Sequence, residues 1–353
     1  MGSKIAIVGA GAVGSYCGAH LVRGGADVTF IDPWPAHVEA MRTRGIRVTH
    51  AGPVEEFTQP VRALDVTEVQ SLSKGAPIDI AFVCVKSYDT AWATMMIKPY
   101  LAPQGFVVSL QNCMNEETVA GVVGWGRTVG CIASRILVEL RAPGHVHRGA
   151  GKAGAGHTVF RVGEVHGRIT PRVEEICRLV AHADSAMTTQ NLWGERWSKL
   201  VANSMYNGLS AGTGLPSNRV VGTEATRRFA IRLGSEAIRV GQVLGYELEE
   251  VFHIPPESIA RAGEGDGRAL DEVEQRLIAG NKNVSDEQRP SMGQDIVKGR
   301  RTEIDFLNGY VAARAQEVSL PAAANAALVS IVRRVERGEL KPDPRHITDL
   351  RLN

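Results

Sequence analysis

Three glycines and one carboxylate near the N-terminus have the types and spacing to hold a phosphate-bearing ligand. Residues 4 to 32 read KIAIVGAGAVGSYCGAHLVRGGADVTFID. Within them, Gly9-Ala10-Gly11-Ala12-Val13-Gly14 fits G-x-G-x-x-G. After a strand, the first glycine permits a tight turn and the second lets a pyrophosphate approach the main chain. The third lets the following helix pack closely on the sheet. Phosphates then meet the unpaired N–H groups at the helix N-terminus. Asp32 lies 18 residues past Gly14, at the end of the next apolar run. A carboxylate there accepts hydrogen bonds from adenosine ribose hydroxyls. It also repels a 2′-phosphate, and no arginine or lysine follows until Arg42. The six-residue turn and Asp32 therefore imply a nicotinamide dinucleotide, with NAD expected over NADP.

A second group of polar residues sits in the C-terminal half. In WSKLVANSMYNGL, Lys199, Asn203 and Asn207 fall at i, i+4 and i+8, on one face of a helix. From spacing alone, a solvated face fits as well as a binding stripe. Ser291 followed by Gln294 matches a capping box, which starts a helix at Ser291. Glu303 follows three turns on, beside Ile304 and Phe306; taken alone it fits a surface carboxylate.

The elements that must carry these residues divide the chain. Lys4–Val8 reads as a buried strand, 11–23 as a helix and 28–31 as the next strand. Short β-branched runs recur at 78–85, 106–110 and 129–134. Strands interleaved with helices imply a parallel sheet covered on both faces. The glycine-heavy stretch at 143–157 reads as a turn between sheet-edge strands. Beyond about residue 189 long helical patterns dominate, including a continuous one over 291–318. The expected class is α/β: a Rossmann doubly wound parallel sheet over 1–188, then an all-helical domain over 189–353. A polar excursion at about 252–290 breaks the second domain, with one helix expected at 270–279.

Bulk composition excludes several function classes. The chain has 353 residues, long enough for two cores. A net charge of +2 gives no reason to expect nucleic acid or a membrane as partner. Five scattered cysteines without a C-x-x-C pair read as free thiols, and no apolar run reaches membrane-spanning length. The expected location is the cytoplasm, and no metal site is expected. Two motifs are decoys. GLSAG at 208–212 matches the nucleophile elbow, but a helix precedes it where a strand is required. His145 and His147 share a strand face with no third ligand nearby in sequence.

Taken together, the glycine turn, VCVKS at 83–87, LQNCMNEE at 110–117, KLVANSMYN at 199–207 and SMGQDIVKGRRTEID at 291–305 resemble the ketopantoate reductase family over nearly the whole chain. The resemblance implies a Rossmann domain followed by a helical domain, with the active site in the cleft between them. It implies reduction of the 2-oxo group of ketopantoate, usually with NADPH. The family's catalytic lysine falls on Lys199 and its substrate-binding glutamate on Glu303. Its substrate-contacting residues fall on Asn203, Asn207 and Ser291, while Lys86 and Asn112 fall near the nicotinamide and the cleft. The implied partner is a small 2-oxo or 2-hydroxy acid, and the helical half could carry a homodimer.

Four departures stand against that pattern. Cys113 replaces the usual glycine after LQN, and Gly208 replaces the usual proline after the second helix asparagine. Pro216-Ser217-Asn218 replaces a P-N-G turn, and the 252–290 excursion is long. With Asp32, they leave open an NAD-dependent catabolic dehydrogenase for a bulkier hydroxy compound. A non-catalytic NAD-binding sensor is the alternative from a different class.

Overall fold

A computed structural model describes residues 2–52, 56–149, 151–152, 157–281 and 288–350. The chain divides into two compact units, Met1–Leu192 and Trp193–Asn353. The first unit alternates strands and helices. In order they are β1 (Lys4–Val8), α1 (Ala12–Arg23), β2 (Asp27–Asp32), α2 (Pro35–Arg44), β3 (Ile46–His50), β4 (Phe57–Gln59), β5 (Arg62–Asp65) and β6 (Ile78–Val83). There follow α3 (Thr90–Ile97), β7 (Leu101–Ser109), α4 (Glu116–Val123), β8 (Thr128–Ala133), β9 (Val138–Ala142), β10 (His145–Arg148), β11 (Phe160–Glu164), α5 (Pro171–Val180) and β12 (Ala186–Thr189).

Eight strands form one sheet in the order β12-β11-β8-β7-β6-β1-β2-β5. The six strands from β5 through β8 run parallel, in the doubly wound arrangement expected of a Rossmann sheet. At the far edge β11 pairs antiparallel with β8, and β12 runs parallel to β11. Successive residues of β1 serve opposite cores. Ile5 and Ile7 join one apolar cluster, Ala6 and Val8 the other. A strand covered on both faces must be apolar at every buried position, which is why residues 5–8 read as an unbroken apolar run after Lys4. On the α1 side, a smaller sheet of order β4-β3-β10-β9 packs against that helix.

The 143–157 stretch is not simply a turn, because His145–Arg148 forms β10 within this smaller sheet. The remainder of that glycine-rich stretch lies partly outside the described residues.

The second unit is helical among its described residues. Its helices are α6 (Leu192–Thr213), α7 (Glu224–Val243), α8 (Pro256–Gly263), α9 (Gly267–Asn281), α10 (Ser291–Val297), α11 (Asn308–Glu317), α12 (Ala323–Glu336) and α13 (Arg345–Thr348). Trp197 anchors its core: the fully buried indole donates to Ala237 O at 2.9 Å and faces the rings of Tyr246 and Tyr310. Two expectations need correction. The 252–290 region holds two helices, α8 and α9, and its residues 282–287 lie outside the described set. The continuous helix over 291–318 is broken. α10 stops at Val297 and Gly299 turns at φ +62°, before a short 3-10 turn at Ile304–Phe306 leads to α11. A left-handed glycine at this point ends the helix although the apolar spacing continues.

Candidate functional site

The glycine turn follows β1 and opens α1, as its motif requires. Gly9 sits at φ +92° and donates to Ile31 O at 2.8 Å, which ties the turn to β2. An added Cβ at Gly9 would stand 2.8 Å from the Val85 amide nitrogen, so the left-handed backbone and the crowding both demand glycine. Gly11 is the N-cap of α1, and a Cβ there would meet nothing within 4 Å. Open space at the middle glycine, beside the N-terminus of a 12-residue helix, is the cradle a pyrophosphate needs. The residues present therefore fit a dinucleotide. Ala12 and Val13 start the helix.

Two unforeseen side chains fix this turn. Ser15 Oγ donates to Ala10 O at 2.6 Å, and the buried His37 ring brings Nε2 to the same carbonyl at 2.8 Å. His37 Nδ1 accepts from the Gly144 amide at 2.9 Å, so the imidazole links α2 to the β9–β10 turn. Its tautomer follows: Nδ1 accepts, so Nε2 carries the proton. Both residue types are common in surface helices, and nothing in their spacing marks them.

Asp32 ends β2 and is 8% exposed. Burial pushes its carboxyl up from the usual carboxylate range, against the lowering effect of the Trp34 amide, the nearby His37 and the Ala10 amide. The Trp34 N–H donates to Asp32 Oδ1 at 2.9 Å, and the Trp34 ring stacks on His37. Asp32 also pairs in register with Asp65 at the end of β5, so two carboxylates close the same sheet edge.

Lys86 and Asn112 follow β6 and β7, at the carboxyl ends where ligands bind in doubly wound sheets. Gln111 and Asn115 hold these two loops together. Gln111 Nε2 donates to Val85 O and Thr90 Oγ1, both at 2.8 Å. Asn115 Nδ2 donates to Asn112 O at 2.7 Å and to Ser87 Oγ at 3.1 Å. Between them, Cys113 is buried with φ +65°. A left-handed backbone at this position explains why a glycine is the easy choice there, and this chain carries a side chain in its place.

In the helical unit, α6 places Lys199, Asn203 and Asn207 on one face as expected. Lys199 and Asn203 are half-buried and Asn207 is buried, so the stripe is not a fully solvated face. Asn207 Oδ1 accepts from the Met292 amide at 3.4 Å, which sets α10 and its first residue, Ser291, against this stripe. Gly293 faces Ser210 so closely that a Cβ would lie 2.2 Å from the hydroxyl. Gly208 faces Asn308, Leu328 and Ile304, again without room for a Cβ. These contacts bring the Asn207 end of the α6 stripe, the start of α10 and Ile304 to one region of the unit. Glu303 occupies the N-cap position of the 3-10 turn without a side-chain cap bond and is 3% exposed, which overturns the surface-carboxylate alternative. Ser291 does start α10, but its N-cap is Pro290 and no side chain closes the cap.

The decoys dissolve in the same geometry. Ser210 lies inside α6 and donates to Leu215 O, far from any strand-to-helix elbow. His145 and His147 share the Thr49 hydroxyl, each at 2.9 Å.

Two family models match in tandem: "Ketopantoate reductase PanE/ApbA" over residues 5–159 and "Ketopantoate reductase PanE/ApbA C terminal" over 191–336. The chain belongs to the ketopantoate reductase family. A 2-dehydropantoate 2-reductase of Archaeoglobus fulgidus is 30% identical over 95% of this chain and 98% of its own length. A PanE/ApbA family ketopantoate reductase from Ralstonia eutropha JMP134 has a TM-score of 0.74 at 29% identity, covering 95% of this chain and 99% of its own. D-mandelate dehydrogenase, solved with NADH and anilino(oxo)acetate, shares the fold with a TM-score of 0.78 at 20% identity, over 95% and 98% of the two chains. As a ketopantoate reductase family member the chain is a nicotinamide-dependent oxidoreductase acting on CH–OH groups. No helix of the described residues is long and apolar enough to cross a membrane.

Proposed function

We propose that this protein reduces a 2-oxo acid to the 2-hydroxy acid, with ketopantoate as the first substrate to test and NADH as the preferred reductant. The observation that carries the reading is the α6 stripe of Lys199, Asn203 and Asn207, with Asn207 bonded to the segment that starts at Ser291. Gly9, Gly11, Gly14, Asp32, Lys86 and Asn112 hold the dinucleotide, which when bound supplies the hydride. Reduction leaves negative charge growing on the former carbonyl oxygen. The Lys199 ammonium stabilises that charge and gives the oxygen its proton. Asn203 and Asn207 orient the substrate carboxylate without adding charge, and Glu303 and Ser291 bond a substrate hydroxyl.

NADH is preferred because the Asp32 carboxylate, buried at the end of β2, suits ribose hydroxyls and opposes a 2′-phosphate. Steady-state rates with NADH and NADPH, across a panel of 2-oxo acids that includes ketopantoate, test both parts. Turnover with no 2-oxo acid of the panel contradicts the reading.

A second reading rests on Cys113. It places a side chain in the loop between Asn112 and Asn115, where the resemblance expects glycine. This supports a substrate other than ketopantoate, handled in the oxidative direction with NAD, and the same panel run with 2-hydroxy acids separates the two.

A further inference from the structure

The far end of α1 carries a second site with a different chemistry. A cavity of about 310 Å³ is lined by His20, Arg23, Gly24, Lys152 and His182. The first three lie at the C-terminal end of α1, Lys152 follows β10, and His182 lies in the turn between α5 and β12. Four basic side chains from three separate segments line it, and no acidic one does. His20 is 6% exposed, while Arg23, Lys152 and His182 are exposed. The His182 ring lies flat over Gly24, where a Cβ would come within 2.7 Å of the imidazole. The Arg23 guanidinium stacks on Phe57 at 4.3 Å, which presents it from a fixed platform.

Basic residues in the last turn of a helix complement its dipole, and that accounts for His20 and Arg23. It does not account for Lys152 and His182, which arrive from elsewhere in the chain. Nor does it account for the unpaired atoms behind the cavity. His20 Nε2, His50 Nδ1 and Arg148 Nε are buried with no hydrogen-bond partner among the described residues. The one buried carboxylate of this cluster, Asp184, is engaged by Arg148 at 2.5 Å. Arg148 also donates to Tyr16 Oη, which in turn meets His50 Nε2 at 3.3 Å. The cluster is thus rich in basic groups and short of carboxylates, and burial first, then Lys152, His50, Arg23 and Arg148, keeps the His20 ring neutral by lowering its pKa to about 3.

We propose that this cavity binds the phosphoryl group of a small phosphorylated metabolite, at the opposite end of α1 from the dinucleotide-binding glycines. A tetrahedral dianion matches several convergent N–H donors better than a single carboxylate does. The volume exceeds that of a bare ion and is at the lower end for small-molecule sites.

Titration of the full-length protein with inorganic phosphate, by calorimetry at constant ionic strength, tests this. The wild type should saturate at one phosphate per chain. Arg23→Gln combined with His182→Gln should weaken binding at least about tenfold, and Gly11→Ala should leave it unchanged. Lys152→Gln alone, at an exposed position, should weaken binding without altering the melting temperature, which guards against a fold defect in the double variant. Loss of binding in Gly11→Ala with retention in the double variant would place phosphate at the glycine turn and overturn the proposal. Acetate binding as tight as phosphate would overturn the phosphoryl assignment. Absence of saturable binding would leave water as the partner of the orphaned atoms and overturn it entirely.

Discussion

A Cβ on Gly14 would stand 2.2 Å from the carbonyl oxygen of Gly9. No side-chain rotation relieves a clash between main-chain atoms, so Gly14→Ala must displace the turn or the start of α1. We expect a loss of about 2–3 kcal/mol of stability, read by urea unfolding. Gly11 behaves differently, because its Cβ position faces open space and its φ of −63° suits any residue. Gly11→Ala should keep stability within about 0.5 kcal/mol while weakening NADH binding about tenfold, about 1.4 kcal/mol, because its methyl occupies the space the pyrophosphate would approach. Equal effects of the two substitutions on stability would contradict the roles assigned to these glycines.

Gln111 clamps two loops from the buried end of β7. Gln111→Leu removes both of its donated bonds and leaves the Val85 carbonyl and Thr90 hydroxyl short of a partner. A destabilisation of about 1–3 kcal/mol is expected. Because the clamp sets the loops that carry Lys86 and Asn112, the KM for NADH should rise more than kcat falls. A normal KM with reduced stability alone would make Gln111 a structural residue only.

Acid should weaken the fold through His20. In the folded chain its pKa is lowered from 6.5 to about 3, first by burial and then by Lys152, His50, Arg23 and Arg148. The unfolded chain takes up a proton as pH falls below about 6.5, while the folded chain does not. The stability is therefore fully present above 6.5 and is lost between there and about 3. From pH 7 to pH 5 the His20 share reaches up to about 2 kcal/mol. His37 and His50 are lowered in the same direction, so His20→Gln should flatten the pH profile without abolishing it. An unchanged pH slope in His20→Gln would contradict a neutral buried imidazole.

Much of this was legible in the sequence where one physical cause dominates. Lys4–Val8 and the turn after it were readable because burial on both faces and a left-handed Gly9 each leave a mark on residue type. The break between α10 and α11 was not, since Val297, Ile304 and Leu307 keep helical spacing across Gly299. The smaller sheet was hidden because β4 and β10 are three and four residues long and largely polar. The α6 stripe was visible as spacing, but the bond that engages Asn207 comes from Met292 of α10, 85 residues on. Ser15, His37, Gln111 and Asn115 escaped notice because their bonds run to main-chain carbonyls and to side chains from other segments, which no local spacing encodes.

The reading stands or falls on the Lys199 amine as the proton donor. Single-turnover and steady-state rates of Lys199→Ala, with NADH and the best 2-oxo acid of the panel, test it most directly. Turnover should fall by about a hundredfold or more, with NADH affinity unchanged. Turnover near that of the wild type would contradict it.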